Sequence, residues 1–411
     1  MVEIAPFRAI RYNLNRTPNL SPIICPPYDV ISITDYHRLT AGHPQNIVRI
    51  ELPMTQGKKD KYEVAAEFWD RWQNNRTLIR EKEPCFYGYE ERFSVGNQAC
   101  FRRGFLAALR VERPGKGRIR PHERTFPKHK EDRLRLMRAT HANISPIFGI
   151  FFDSQESAQK LIERRMSEKP LAVCRDTKGV THRIWKWSDP ETLKVLQKVV
   201  ASGDVLIADG HHRYETAWNY AQERQAQDRA KSTQKRAYRY VLTFLCSLSD
   251  PGLVIQPTHR AVRWTASAEE WAKRITPHFT MQKISGLNAL FVKLRAKNEH
   301  SGIGFVLEGG KLFWLKPKSQ NASLPVVSLH EAILKNIPLE NISYGQNPRE
   351  LVENLQRGES NAVFLLPPPD KGGFARVCKA GQLLPQKSTY FYPKVTTGLV
   401  MRSLDGHVSD L

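Results

Sequence analysis

Asp209-Gly210-His211-His212-Arg213 concentrates more reactive side chains than any other run in this chain. It follows a short apolar stretch, 205–208, that reads as a buried strand. It precedes a stretch of helix-compatible composition to about residue 230. A strand, a tight glycine turn and a helix start together form an anion-binding device. The first backbone N–H groups of the helix lack intrahelical partners, and the helix dipole adds positive potential there. Arg213, in the first turn, could fork onto a phosphate or a carboxylate. The same residues also suit a plain βα turn in which Asp209 caps the helix and the histidines face solvent.

Two further segments carry chemistry. In 121–130, Glu123 is the lone carboxylate among histidine, lysine, arginine and threonine. Set in a cleft, it could take a proton from a hydroxyl as general base. Neighbouring cations would depress its pKa and desolvation would raise it; a solvated basic loop is the alternative. In 392–398, Lys394 followed by Thr396, Thr397 and Gly398 can grip an anion through side chains and backbone N–H groups, or form an ordinary loop. His211 and His212 are poor candidates for a shared metal, because adjacent helical residues point about 100° apart. Magnesium asks for one or two carboxylates plus phosphate oxygens, which suits Asp209 at the strand tip, directly or through water. GxxxxGK[ST], GxGxxG and GxSxG are all absent, and no cysteine stands beside a basic helix start.

These segments need elements to position them. Apolar residues at 64, 65, 68, 69 and 72 predict a helix. The runs 85–93 and 99–111 predict strands joined by a turn at Gly96-Asn97. Pro26-Pro27-Tyr28-Asp29-Val30 reads as a rigid extended-then-turn segment. After a loop at 110–130 come a helix at 131–141 and strands at 147–152 and 179–187. A helix capped by Asp189 runs to about residue 200, and a strand follows at 238–248. Beyond Pro251-Gly252 the pattern restarts, with helices near 268–275, 329–334 and 348–355 and strands near 302–307, 312–315 and 362–366. A last segment spans 386–400. The pattern predicts an α+β or mixed α/β fold in three parts: an N-terminal α/β unit at 1–104, a core at 105–260 and a C-terminal α/β unit at 261–411 that contributes the 394–397 loop.

At 411 residues the chain exceeds one typical core. No run approaches the roughly 18 apolar residues of a membrane span, and the N-terminus lacks a secretory pattern, so a cytoplasmic protein is expected. The six cysteines are far apart and form no CxxC pair, which points to reduced thiols. The net charge of +22 is uneven: residues 101–141 hold 13 Lys/Arg against four Asp/Glu. Such a block attracts polyanions, although host composition gives the same excess. A DNA reader would add a recognition helix or a stacking platform, and neither is visible.

Over nearly its whole length the chain resembles the bacterial and archaeal family catalogued as domain of unknown function 1015. The resemblance is carried by PPYDV (26–30), HERTFPKHKEDRL (122–134), ANISPIF (142–148), ADGHHRYETA (208–217) and STYFYPKVTTGLV (388–400). It supplies no function. A more distant resemblance does. The DGHHR turn is similar to the phosphate-gripping turn of the ParB/sulfiredoxin superfamily, nearest the archaeal ADP-dependent free-serine kinases. Those enzymes carry a Pro-His-Glu segment with the catalytic glutamate, a DGHHR turn on the nucleotide phosphates and a Pro-Lys-Thr-Thr segment. Here the matching residues are 121–123, 209–213 and 393–397, with Val395 interrupting the last. Glu123 and Asp209 lie 86 positions apart, further than in those kinases, with 150–187 inserted; the first hundred residues have no counterpart.

The resemblance implies a ParB/sulfiredoxin-like nucleotide-binding core. It implies a kinase that uses ADP or ATP with magnesium on a small hydroxy metabolite, first of all free L-serine, giving O-phosphoserine. Glu123 would take the hydroxyl proton. Gly210, His211, His212 and Arg213 would hold the phosphates. Asp209 would orient the turn or bind magnesium through water. Lys128, Lys130 and Arg133 would add positive potential at the mouth. Lys394, Thr396 and Thr397 would bind the substrate carboxylate or product phosphate. Two other functions fit the same grip: a non-enzymatic ParB-like nucleotide-binding regulator that contacts DNA or protein, and a phosphatase or transferase acting on a phosphorylated amino acid.

Overall fold

The computed structural model describes residues 1–123, 127–228, 236–296, 302–319 and 324–407; the side chains of 127–129 lie outside that description. Contacts divide the chain into two units. One is Met1–Val254 with Pro393–Leu411, and the other is Ile255–Tyr392.

The first unit is built on a nine-stranded mixed sheet. Its strands are β1 (Ile4–Ala5), β2 (Tyr87–Val95), β3 (Gln98–Arg110), β4 (Ile119–Arg120), β5 (Ile147–Phe151), β6 (Ala172–Arg175), β7 (Thr181–Ile184), β8 (Val205–Asp209) and β9 (Tyr240–Ser247). Their order is β4-β8-β5-β9-β3-β2-β7-β6, with β1 paired to β3. β9 runs parallel to β5, and β8 runs antiparallel to it. Every residue of β5 and β9 is buried. That is why these strands read as largely apolar runs and not as an alternating pattern. β2 and β3 form the predicted hairpin, with Gly96 at positive φ in the turn. β3 passes through position 104, where the sequence pattern suggested a boundary, so 87–110 and 147–247 share one sheet. The stretch proposed as an insertion supplies β6 and β7 at one end of that sheet.

Among the described residues the α-helices of this unit are α1 (Ile33–Gly42), α2 (Val48–Glu51), α3 (Lys61–Asn74), α4 (Pro127–Thr140), α5 (Ser157–Met166), α6 (Pro190–Ser202) and α7 (His211–Gln227). α3 buries Val64, Ala65, Trp69 and Trp72 of the predicted stripe, leaves Phe68 half-buried, and starts at an Asp60/Glu63 capping box. α4 begins four residues earlier than the apolar pattern suggested. α7 ends at Gln227, short of residue 230.

The second unit holds a six-stranded antiparallel sheet: β10 (His259–Val262), β11 (Phe279–Lys283), β12 (Ile303–Leu307), β13 (Lys311–Pro317), β14 (Ile342–Gly345) and β15 (Ala362–Leu365). Its order is β11-β13-β12-β15-β10-β14. Trp271, Phe305 and Phe364 pack together at its centre, with ring centroids 4.8 to 5.6 Å apart. The helix predicted near 329–334 is a short turn, Pro325–Ser328, running into a π-helical segment, Leu329–Ile333.

The mixed α/β class expected from the sequence is therefore the class observed. Among the described residues no helix is long and apolar enough to cross a membrane. None of the six cysteines forms a disulfide.

Candidate functional site

The end of β8 is shaped for a turn before any side chain acts. Ile207 faces Gly149 of β5, while Asp209 faces Phe148, so the ladder slips by one residue. Such a bulge re-aims the strand's last side chain. Gly210 then takes φ +89°, and a Cβ there would lie 2.9 Å from Ile147 Cγ2. Only glycine fits that corner. Gly210 is also the N-cap residue of α7, and no side chain caps the helix. Asp209 is therefore not the cap suggested by the plain-turn alternative.

Asp209 spends its carboxylate elsewhere. Oδ2 accepts from Arg213 at 2.7 Å and Oδ1 from Lys394. Burial pushes this carboxyl up, but Lys394 and then Arg213 outweigh it and hold it at about 2. Arg213 is itself buried and gives a second N–H to the Pro146 carbonyl. Its fork is thus engaged within the protein. Both oxygens of Asp209 already face cations, so they do not fit as direct ligands for magnesium. Among the described residues no group of three His, Cys, Asp or Glu could hold a metal ion.

Glu123 joins this turn through its neighbour. His122 donates Nδ1–H to the Ile207 carbonyl at 2.7 Å, and its backbone N–H donates to His211 Nε2 at 3.3 Å. The two rings meet edge to face at 4.5 Å. Burial drives the His122 pKa down to about 4 and that of His211 well below its ordinary value, so both are neutral at pH 7. Because the carbonyl fixes the His122 proton on Nδ1, Nε2 is an acceptor. It lies 3.8 Å from Glu123 Oε1. The Glu123 carboxylate and the His122 imidazole thus stand side by side as two acceptors.

The 394–397 loop is tied down from three sides. Thr397 and Cys25 exchange backbone hydrogen bonds of 2.8 and 3.2 Å, and the Thr396 hydroxyl donates to the Cys25 carbonyl at 2.9 Å. Gly398, at φ +102°, lets the chain close on Ile47, whose Cγ2 would lie 2.9 Å from a Cβ. Upstream, Arg102 donates to the Pro393 carbonyl at 2.6 Å. That arginine and its partner Glu91 are fully buried. Thr396 and Thr397 thus anchor the loop, and Lys394 is the member that reaches the turn.

The remaining predicted residues lie in different settings. Lys130 pairs with Glu215 of α7 at 2.9 Å. Arg133 is buried, bound to Asp132 and to the Glu51 carbonyl, with its guanidinium 4.1 Å from the centre of the Tyr28 ring. His212 is half-buried in the first turn of α7. The Lys128 side chain lies outside the described residues.

Three residues at the site escaped the sequence reading. Tyr28 packs on Arg133 and gives its backbone N–H to Glu51. Asp29, exposed beside it, acts electrostatically on Arg213. Glu51 is buried against Ser145. The only available signals were the rigid 26–30 segment and a lone carboxylate after Ile47, Val48 and Ile50.

The family described as Protein of unknown function (DUF1015) matches residues 4–337. No curated protein matches the chain in sequence. Among solved structures, a conserved hypothetical protein from Pyrococcus furiosus is similar at 14% identity and a TM-score of 0.37, covering 72% of this chain and 94% of that one. A free serine kinase variant in complex with AMP is similar at 13% identity and a TM-score of 0.40, covering 70% and 88%. SbnI from Staphylococcus aureus, truncated at its C-terminus, is similar at 11% identity and a TM-score of 0.38, covering 74% and 88%.

Proposed function

The chain belongs to the family Protein of unknown function (DUF1015), and we propose that it is a nucleotide-dependent phosphotransferase acting on a small hydroxy metabolite, with free L-serine as the first candidate and O-phosphoserine as product. The observation that carries this reading is the convergence of Lys394, Asp209 and Arg213 at the uncapped start of α7, with Glu123 alongside through His122. Phosphoryl transfer is mainly positioning and charge stabilisation, so a helix start with an adjacent lysine is the equipment it needs.

In this proposal the backbone N–H groups at the start of α7 and Lys394 hold the phosphates of ADP or ATP. Arg213 braces Asp209 and does not fork onto the ligand. An arriving phosphate competes with Asp209 for Lys394, so the internal carboxylate holds the lysine in place until the nucleotide takes it over. Glu123 accepts the hydroxyl proton, and His122 fixes the segment that carries Glu123 through its bond to the Ile207 carbonyl. A ParB/sulfiredoxin-like core within the first unit belongs to the same proposal. Magnesium would come with the nucleotide phosphates, and no step is assigned to it.

Calorimetric titration of the full chain with ADP and ATP tests the grip. Lys394→Ala should weaken binding by about tenfold or more, the worth of a charge-assisted hydrogen bond. Equal affinity in wild type and Lys394→Ala would remove the lysine from the site.

A further inference from the structure

Glu51 closes α2 and is almost wholly buried. Its Oε1 accepts from the Ser145 hydroxyl at 2.9 Å and from the Tyr28 backbone N–H at 3.4 Å. Its Oε2 has no hydrogen-bond partner among the described residues. Glu51 lines a cavity of about 40 Å³ together with Arg133, Asn143, Ser145, Arg213 and Val241. At roughly 10–15 Å³ per water, that is room for about three waters or one small head group.

The charges around this cavity form two chains, because Asp132 takes Lys61 as well as Arg133 and Asp209 takes Lys394 as well as Arg213. Arg133 is held by Asp132 at 2.5 and 2.9 Å, and Arg213 by Asp209 at 2.7 Å. Arg133 Nη1 stands 4.0 Å from Glu51 Oε1, but its hydrogen bond goes to the Glu51 main-chain carbonyl. The Glu51 carboxylate is thus hydrogen-bonded by neutral groups only. Oε2 is therefore a buried acceptor open to a donor brought by a ligand. Asn143 supplies the complement. Its Oδ1 is taken by the Leu242 N–H and by Arg402, so its amide nitrogen remains to donate.

We propose that this cavity receives the primary ammonium group of a small amino compound, with Glu51 as the anion that binds it and Asn143 donating to a neighbouring oxygen of the same ligand. This names the acceptor's class within the phosphotransferase proposed above and rests on that proposal for the transfer itself. Arg213 lies in both places, lining the cavity and bracing Asp209, so a ligand anchored on Glu51 sits beside the turn. The pKa direction agrees. Burial holds the Glu51 carboxyl above its ordinary value although Arg133 and Arg213 oppose this, as expected for an anion still short of partners.

Calorimetry of the full chain with three probes tests the site: L-serine, ethanolamine and D-glycerate. L-serine and ethanolamine should bind. D-glycerate, which lacks the ammonium group, should bind at least about tenfold more weakly, the worth of one charged hydrogen bond. Glu51→Gln should lose about tenfold or more for both amines while ADP and ATP affinity stays within about twofold. Val241→Leu adds one methylene to the cavity wall, leaves Glu51 untouched and should also weaken both amines; it decides the matter if Glu51→Gln does not fold. The proposal is overturned if neither amine binds wild type, if D-glycerate binds as well as L-serine, or if either variant keeps wild-type affinity for the amines. Failure of the nucleotide reading shows separately, as absence of ADP and ATP binding.

Discussion

Asp209 and Glu51 are two buried carboxylates that both lie near Arg213, and the protein treats them in opposite ways. Asp209 faces two cations and is held at about 2. Glu51 is hydrogen-bonded by a hydroxyl and a backbone N–H, has Arg133 only at 4.0 Å, and is held above its ordinary value. Burial is common to both, so the difference comes from the partners. A compensated carboxylate is a brace: removing it strands the cations it binds. An under-compensated one is poised for a ligand, and removing it costs the fold little. Perturbed groups of the second kind mark functional sites more sharply than ion pairs do.

The two have opposite linkage to pH. The folded pKa of Asp209 lies below its ordinary 3.8, so its stabilisation is present above about pH 4 and is lost as pH falls towards 2. It amounts to something on the order of 2 kcal/mol. Glu51 has a raised folded pKa, so ionising it costs stability, and that cost is relieved as pH falls through the folded value.

The largest expected effect is at the brace. Asp209→Ala leaves Arg213 and Lys394 uncompensated and should destabilise the first unit by about 3–5 kcal/mol, read as a fall in the urea midpoint at pH 7. A fall no larger than that of a surface substitution would dissolve the contrast with Glu51. Next comes the corner itself. Gly210→Ala must place a Cβ against Ile147 at positive φ, which should cost about 1–3 kcal/mol and displace the first turn of α7. An unchanged midpoint together with unchanged nucleotide affinity would contradict the geometry drawn for the turn. Glu51→Gln keeps an acceptor for Ser145 and Tyr28 and should leave stability at pH 7 within about 1 kcal/mol of wild type or above it, while flattening the pH dependence. A loss as large as that of Asp209→Ala would make Glu51 a second brace. Lys130→Ala breaks a partly exposed pair with Glu215 and should cost less than about 1 kcal/mol, which calibrates the scale.

The local parts of the site were legible in the sequence. A short apolar run, Asp-Gly and a helical stretch gave β8, the turn and α7, because each depends on neighbours in the chain. The α4 start was missed because its first turn is basic, with no apolar period; proline at the first helical position was the available signal. α1 was overlooked although Ser32 and Asp35 form its capping box. The roles changed most where partners are distant. Lys394 reaches Asp209 across 185 positions, and Ser145 reaches Glu51 across 94. Nothing in the local pattern announces such pairs. Arg213 looked like a ligand fork from its place in the first turn, and only its contacts with Asp209 and Pro146 show it engaged within the protein.

The most direct test of the proposed activity is phosphorus NMR of the full chain incubated with ADP or ATP, magnesium and L-serine. Wild type should build up a phosphomonoester resonance, and Glu123→Gln should slow its growth by about a hundredfold or more, the usual worth of a general base. No phosphoester from any hydroxy amino acid, or Glu123→Gln running at the wild-type rate, would contradict it.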